Sequence, residues 1–372
     1  MKSDFIVSRT KNYFKRLMPT LPIKRTLSEI PFNVTSQVVR EDIAVALIEV
    51  YDYNAENVSH IEFDSVHDCK KFKNNGNITW INVDGLRKDD VETICREYDI
   101  HPLLVEDILS MGQRPKMDEM ENILFCLLNM LSYNAETNEI EQEQVSIALG
   151  KGFVLSFQEE PKHDVFNPIR DKLKVAGSKL RIAGADYLCY SLIDIIVDNY
   201  YTVLEKLGEK LETLEEEIIR RGDTRSLAFI NMFRKEMIIL KRNINPVREV
   251  INGFMRSDND LLHEKTLRYF KDVYDHIVQA NDLVENYRDM MMSLQDLYLN
   301  KVNLRMNQVM KLMAIVTCLM APATVIGGIF GMNFQTIPYI HNQYGFWIAV
   351  GLMLLIPLFM IYLFKTRGWF KN

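Results

Sequence analysis

Apolar residues recur three and four positions apart along the last third of the chain: Phe270, Val273, Ile277, Ala280, Val284, Tyr287, Met291, Leu294 and Tyr298. That spacing puts them on one face of an α-helix. A polar stripe with the same alternation runs beside it through Asp272, Asp275, Gln279, Asp282, Asn286, Asp289, Ser293, Asp296, Asn300, Asn303 and Asn307. It continues through Met310, Ala314, Thr317, Ala321, Thr324, Gly328 and Gly331, where the surrounding sequence has become apolar. From Glu264 there is no Pro before Pro322 and no Gly before Gly327, so nothing interrupts one helix running toward Asn333. At about 1.5 Å per residue it would be roughly 100 Å long. An apolar helix with a small-and-polar seam, fed by acids, reads as the wall of a cation pathway. Small residues at this spacing equally let membrane helices pack closely, and Gly327–Gly331 is a GxxxG pair. A straight helix drifts about 20° per heptad against such a repeat. Asp272 and Asp275 are therefore as well placed to face a neighbouring subunit as to share an axis with Thr324.

Two segments qualify as membrane spans. Leu312–Phe330 and Phe346–Phe364 each run 19 residues without a charge, enough to cross a hydrocarbon core of about 30 Å. Phe334–Tyr344 between them also lacks Lys, Arg, Asp and Glu, whereas Lys301, Arg305 and Lys311 precede the first span and Lys365, Arg367 and Lys371 follow the second. The positive-inside rule then expects both termini in the cytoplasm and an external loop. Two spans cannot enclose a pore, so transport would require several copies around an axis.

The rest of the pattern is mixed. Ile43–Tyr51, Val58–Phe63 and Ile78–Val83 read as strands, Asp89–Tyr98 and Pro102–Leu109 as helices, and Asn122–Tyr133, Glu139–Leu149 and Phe153–Gln158 as three antiparallel strands. After Pro161 the chain turns helical. Tyr187–Arg221 carries Leu204, Leu207, Leu211, Leu214 and Ile218 on one face and an acidic outer face. A turn at Gly222–Asp223 leads to a returning helix, Leu227–Ile251, expected to kink at Pro246. The expected architecture is an α+β membrane protein. It has a basic arm (1–40), a cytoplasmic α/β sheet domain (41–160), a helical hairpin region (161–263) and the cytoplasmic part of a very long helix (264–311). Then follow the first span (312–333), an external loop (334–345), the second span (346–364) and a basic tail (365–372).

Composition narrows the function. A net charge of −6 over 372 residues argues against general nucleic-acid binding. Five cysteines without a CxxC pair imply no disulfide framework and suit a reducing cytoplasm. The basic N-terminus lacks an apolar h-region, so it is not read as a secretory signal; surface lipid contact is its alternative use. No Gly-rich phosphate loop and no Ser/His/Asp or Cys/His set can be argued from spacing, so no enzyme is expected.

Phe330-Gly331-Met332-Asn333-Phe334 ends the first of the two spans. With the basic tail it closely resembles the CorA family of magnesium transporters. His101-Pro102-Leu103, Glu106-Asp107, Gln113-Arg114-Pro115-Lys116, Ala185-Asp186-Tyr187-Leu188 and Asp272-Val273-Tyr274-Asp275-His276 extend the likeness from about residue 40 to the end. The resemblance implies a homopentamer in the cell (inner) membrane, taking up Mg²⁺, with Co²⁺ and Ni²⁺ as further candidates. It implies Gly331, Met332 and Asn333 as the outer filter, with Thr324, Thr317, Asn307 and Asp296 lining the pore below. Met313 falls at a hydrophobic constriction, and Ala321 stands where the family has a second, bulkier one. Asn303, Met310 and Gly328 complete the seam. It also implies regulatory Mg²⁺ bridging neighbouring cytoplasmic domains through Asp107, Asp272, Glu106 and Asp194. The external loop lacks the acid that many relatives carry. Two other readings stay open: a zinc transporter of the same fold, and a membrane-anchored sensor or scaffold. Against zinc, no His or Cys lies on the stripe and Cys318 is one position off it.

Overall fold

Alternating side chains on extended backbone bury two separate cores, one on each face of a sheet. In the computed structural model, which describes residues 46–63, 66–120, 122–159, 164–333 and 343–369, seven strands form it. They are β1 (Leu47–Tyr53), β2 (Val58–Phe63), β3 (Ile78–Asp84), β4 (Lys116–Met120), β5 (Ile123–Asn134), β6 (Glu139–Gly150) and β7 (Phe153–Gln158), in the order β2-β1-β3-β7-β6-β5-β4. Only the β3–β7 pair is parallel. Leu124, Cys126 and Leu128 of β5 face one core, Phe125 and Leu127 the other. Burial on both faces is why β5 reads as a continuous apolar run. The expectations for 1–40, for most of the external loop and for the last tail residues fall outside the described residues. Every described residue belongs to one compact unit.

One face is covered by a 3₁₀ segment (Val66–Phe72), α1 (Lys88–Glu97) and α2 (Pro102–Leu109). The other is covered by α3 (Asn167–Lys174), α4 (Lys179–Ile182), α5 (Ala185–Arg220), α6 (Thr224–Arg256) and α7 (Glu264–Phe330). The last helix is α8 (Gly345–Thr366). The first strand ends two residues later than its composition indicates, because its ladder runs on until Tyr53 pairs with Val58 and Ile78. There Asn54 Oδ1 accepts from the backbone N–H groups of Glu56 (2.9 Å) and Asn57 (2.8 Å) and turns the chain. The polar β4 carries no alternation and is held by its ladder to β5.

The long helix spans 67 residues. Its apolar stripe is buried at Phe270, Val273, Ile277, Ala280, Val284, Met291 and Leu294, with Tyr287 and Tyr298 half-buried. The hairpin expected from residues 187–251 is present as α5 and α6, but its two arms pack chiefly on α7 rather than on each other. Asp223 caps α6 by accepting from Arg225 N (3.0 Å) and Ser226 N (3.2 Å). Gly222 before it has a positive φ of 53°, and a Cβ there would lie 2.6 Å from Lys301 Cγ. Lys301 Nζ donates to Ile219 O (2.9 Å) and Arg305 Nη2 to Arg221 O (3.4 Å), closing the end of α5 onto α7. The α5–α6 turn is thus seated on α7 immediately before its uncharged stretch.

A buried carboxyl in the sheet gives a stability test. Asp84 is 3% exposed, and its Oδ1 accepts from Gln158 Nε2 (2.6 Å) and Asn82 Nδ2 (2.9 Å). Burial, aided by the charge of Asp164, pushes it up to about 6 against those hydrogen bonds. A group whose folded pKa is raised contributes stability below its unfolded value and loses it as pH rises through the folded one. Asp84→Asn keeps an acceptor oxygen and removes the titration. It is expected to match the wild type near pH 4 and to be more stable near pH 8, by up to about 3 kcal/mol for a shift of about two units. Thermal melting of the detergent-purified protein at both pH values checks it; equal melting points near pH 8 would contradict it.

Candidate functional site

Every seam residue is exposed in the single chain. Asp272, Asp275, Gln279, Asp282, Asn286, Asp289, Ser293, Asp296, Asn300, Asn303 and Asn307 point away from α5 and α6. Farther on, Met310 (63% exposed), Met313 (62%), Thr317, Ala321, Thr324 and Gly328 are uncovered too. The helix α8 packs on this stretch of α7. Exposure on α7 falls there at Ile315, Leu319, Pro322, Ala323 and Ile326. At 3.6 residues per turn those positions lie roughly opposite Thr317 and Thr324. The matching stripe on α8 is Ala349, Met353, Ile356, Met360 and Phe364. The second apolar helix therefore leaves the seam without a partner.

The glycines do not serve that intrachain contact. Among the described residues, a Cβ on Gly327 would meet only Met353 Cε, at an ordinary 3.7 Å, and one on Gly328 would meet nothing within 4 Å. The threonines are prepared as acceptors. Thr317 Oγ1 donates to Met313 O (2.9 Å) and Thr324 Oγ1 to Met320 O (3.0 Å). Their protons are consumed within the helix, so the oxygens offer lone pairs outward. At the top, Gly331 N donates to Gly327 O (2.9 Å) and Met332 N to Ile329 O (3.3 Å), closing α7. Gly331, Met332 and Asn333 follow the last turn, all exposed.

The four acids expected to bind metal do not meet within one chain. Glu106 and Asp107 sit on α2, on one side of the sheet, and Asp194 and Asp272 on α5 and α7, on the other. Glu106 is exposed. Asp107 is 19% exposed and already paired: Lys116 Nζ lies 2.6 Å from Oδ2 and Gln113 Nε2 donates to Oδ1 (3.0 Å). Asp272 is exposed and adds to the field on Asp194. Burial, then the charge of Asp198, holds the Asp194 carboxyl above the usual range, while the hydrogen bond from Tyr190 (3.1 Å) and His276 work the other way. Sequence reading missed Asp198 and His276 beside Asp194. The available signal was the one-turn spacing of Asp194 and Asp198 together with the histidine closing Asp272-Val273-Tyr274-Asp275-His276.

Residues 75–366 match the family described as CorA-like Mg²⁺ transporter protein. The chain belongs to the CorA family. The cobalt/magnesium transport protein CorA of Thermotoga maritima is 37% identical over 331 residues, which is 89% of this chain and 93% of that protein. The structure of the CorA magnesium transporter from Methanocaldococcus jannaschii superposes with a TM-score of 0.71 at 22% identity, covering 88% of this chain and 99% of the other. A more distant relative, the zinc transport protein ZntB of Yersinia pseudotuberculosis, is 18% identical over 295 residues, covering 78% of this chain and 87% of that one. The soluble mixed sheet, the long helix and the two C-terminal apolar helices are the CorA fold. As a CorA family member this chain is a membrane protein and a divalent-cation transporter, and α7 and α8 each contain an 18-residue stretch apolar enough to cross, with mean hydropathies of 2.1 and 2.4.

Proposed function

We propose that five copies of this chain surround a pore that takes up hydrated Mg²⁺, with Co²⁺ and Ni²⁺ as further substrates. The observation that carries the reading is the seam of Asn307, Met310, Thr317, Ala321, Thr324 and Gly328, exposed on the face of α7 turned away from α8. One chain cannot enclose a path, but copies related by a rotation axis bring their seams together. Mg²⁺ gives up its water reluctantly. Asn333 carbonyls in a ring accept hydrogen bonds from the hydration shell without stripping it, and being neutral they let the ion leave. Gly331 and Met332 complete the filter, Met313 forms the narrowest apolar position, and Asp296 and Asn303 line the approach from below. The Lys and Arg residues flanking the spans support, by the positive-inside rule, a reading with both termini in the cytoplasm of a cell whose inner membrane the helices cross.

Regulation follows from the separation of the acids. Glu106 and Asp107 on one side of the sheet and Asp194 and Asp272 on the other meet only between neighbouring subunits. Facing carboxylates repel unless a dication lies between them. Mg²⁺ bound there holds the closed assembly, and its loss at low internal Mg²⁺ favours opening.

Zinc transport is the second reading, favoured by the zinc transporter among the relatives. The seam's donors are all oxygen apart from the methionine thioethers, which suits Mg²⁺ better. Purified protein in liposomes, loaded with ion indicators and offered Mg²⁺ or Zn²⁺ separately, decides between them. Mg²⁺ uptake well above empty liposomes is expected. Uptake of Zn²⁺ alone would establish the zinc reading, and uptake of neither would leave a membrane-anchored sensor.

A further inference from the structure

His276 carries a donor atom that the fold does not use. Its Nδ1 is buried and makes no hydrogen bond, although the side chain as a whole is 39% exposed. The backbone and ring are held in place by Tyr201, whose hydroxyl donates to His276 O (2.6 Å) and whose ring meets the imidazole edge-on at 6.3 Å. Nδ1 faces Asp198 Oδ1 at 3.8 Å, too far for a hydrogen bond. Asp194 lies one turn earlier on α5, and single donor atoms of Asp194, Asp198 and His276 all lie within 4.8 Å of one another. Asp194 is itself oriented, since Tyr190 donates to its Oδ2 at 3.1 Å. Orientation of carboxylates and imidazoles by outer hydrogen bonds is what metal sites use to fix their ligands. As an ion pair the group is poor: two carboxylates face at most one imidazolium charge, without a hydrogen bond to it.

We propose that Asp194, Asp198 and His276 form, within each chain, a cytoplasmic binding site for a transition-metal dication of the Co²⁺, Ni²⁺ or Zn²⁺ class. The imidazole nitrogen sets the class. Such ions take mixed nitrogen and oxygen donors, whereas Mg²⁺ takes oxygen and keeps most of its water. The His276 ring binds through Nδ1 and keeps its other proton on Nε2. Asp198, 60% exposed, gives the ion a way in from solvent. Metal–ligand bonds of about 2.1 Å require the three side chains to draw together by rotamer adjustment. The site shares Asp194 with the Mg²⁺ set proposed above but goes beyond that reading, since it needs neither a pore nor a neighbouring subunit.

The test is calorimetric titration of the detergent-purified full-length protein with Co²⁺ in Mg²⁺-free buffer, so that Mg²⁺ does not compete for the shared Asp194. One Co²⁺ per chain that shows imidazole scattering in the X-ray absorption spectrum is expected. His276→Gln and Asp198→Asn should each weaken binding at least tenfold while leaving Mg²⁺-dependent protection from proteolysis unchanged. That protection also reports that each variant is folded. Absence of Co²⁺ binding to the wild type, or wild-type affinity in either variant, overturns the proposal. Co²⁺ binding that survives in Asp272→Asn while Mg²⁺ protection is lost separates this site from the regulatory one, so either can fail alone.

Discussion

Asn333→Ala is expected to abolish Mg²⁺ uptake and leave assembly intact. Asn333 follows the turn that closes α7, and among the described residues its exposed side chain makes no hydrogen bond. Removing it costs the fold nothing measurable, since substitutions at exposed, unpartnered positions stay within about 0.5 kcal/mol. The loss falls on the ion. In the proposed filter a hydrated Mg²⁺ presents only outward-pointing water hydrogens, and the amide carbonyls would be the acceptors that replace bulk water around it. Alanine supplies none. Asn333→Asp should fail differently, binding the ion through charge and releasing it slowly, so that flux falls while block by other divalent ions increases. Flux is read in liposomes and assembly by size-exclusion chromatography. Wild-type flux from a well-assembled Asn333→Ala protein would remove Asn333 from the filter.

Asp272→Lys is expected to make the closed state independent of Mg²⁺. Asp272 is exposed in one chain and sits on the side of the sheet opposite Asp107, so an ion shared by the two, as proposed above, would have to bridge subunits. Binding shifts the closed–open balance only through its differential affinity for the two states. One site saturated about 100-fold contributes about 2.7 kcal/mol, and repetition round a ring multiplies a modest affinity into a firm bias. A lysine at 272 places a fixed positive charge where the ion sat and pairs with the facing acid. Wild-type protein is therefore expected to become protease-sensitive when Mg²⁺ is chelated, and Asp272→Lys to stay protected with or without it. The ion pair of Asp107 with Lys116 (2.6 Å) bears on the same balance. Lys116 already neutralises part of the acid, so Lys116→Met should shift protection to lower Mg²⁺. If Asp272→Lys keeps the wild-type Mg²⁺ dependence, Asp272 is an ordinary solvated carboxylate.

What could be read from the chain follows from which interactions are local. The stripe from Phe270 to Tyr298 announced a buried helical face because periodicity is a property of neighbours in sequence, and seven of its nine positions are buried. The two uncharged stretches and the exposed seam were legible for the same reason. The parallel β3–β7 pair was not, since nothing in either strand encodes its partner across the 68 residues between Asp84 and Phe153. β4 was invisible because Lys-Met-Asp-Glu-Met has no alternation and gains its form from β5. The hairpin of α5 and α6 was legible, but its packing around α7 was not, because both arms have apolar faces and a face does not name what covers it. At the site, Asp107 was recognisable as an acid in a motif but not as one already paired. The Asp194–Asp198–His276 group joins helices 78 residues apart, from 198 to 276, and required the fold to appear.

The central claim is that the polar seam of α7 is the ion path, and single cysteines test it most directly. In a Cys318→Ser background, Thr317 and Thr324 on the seam are each replaced by cysteine, as are Leu319 and Ile326 on the face that α8 covers. Each protein is reconstituted into liposomes, and Mg²⁺ flux is measured before and after a charged, membrane-impermeant thiol reagent is added. The account predicts that Thr317→Cys and Thr324→Cys transport and are blocked by the reagent, while Leu319→Cys and Ile326→Cys transport and are not. Block at Leu319→Cys or Ile326→Cys, with the two seam cysteines indifferent to the reagent, would place the ion path on the other face of the helix and contradict it.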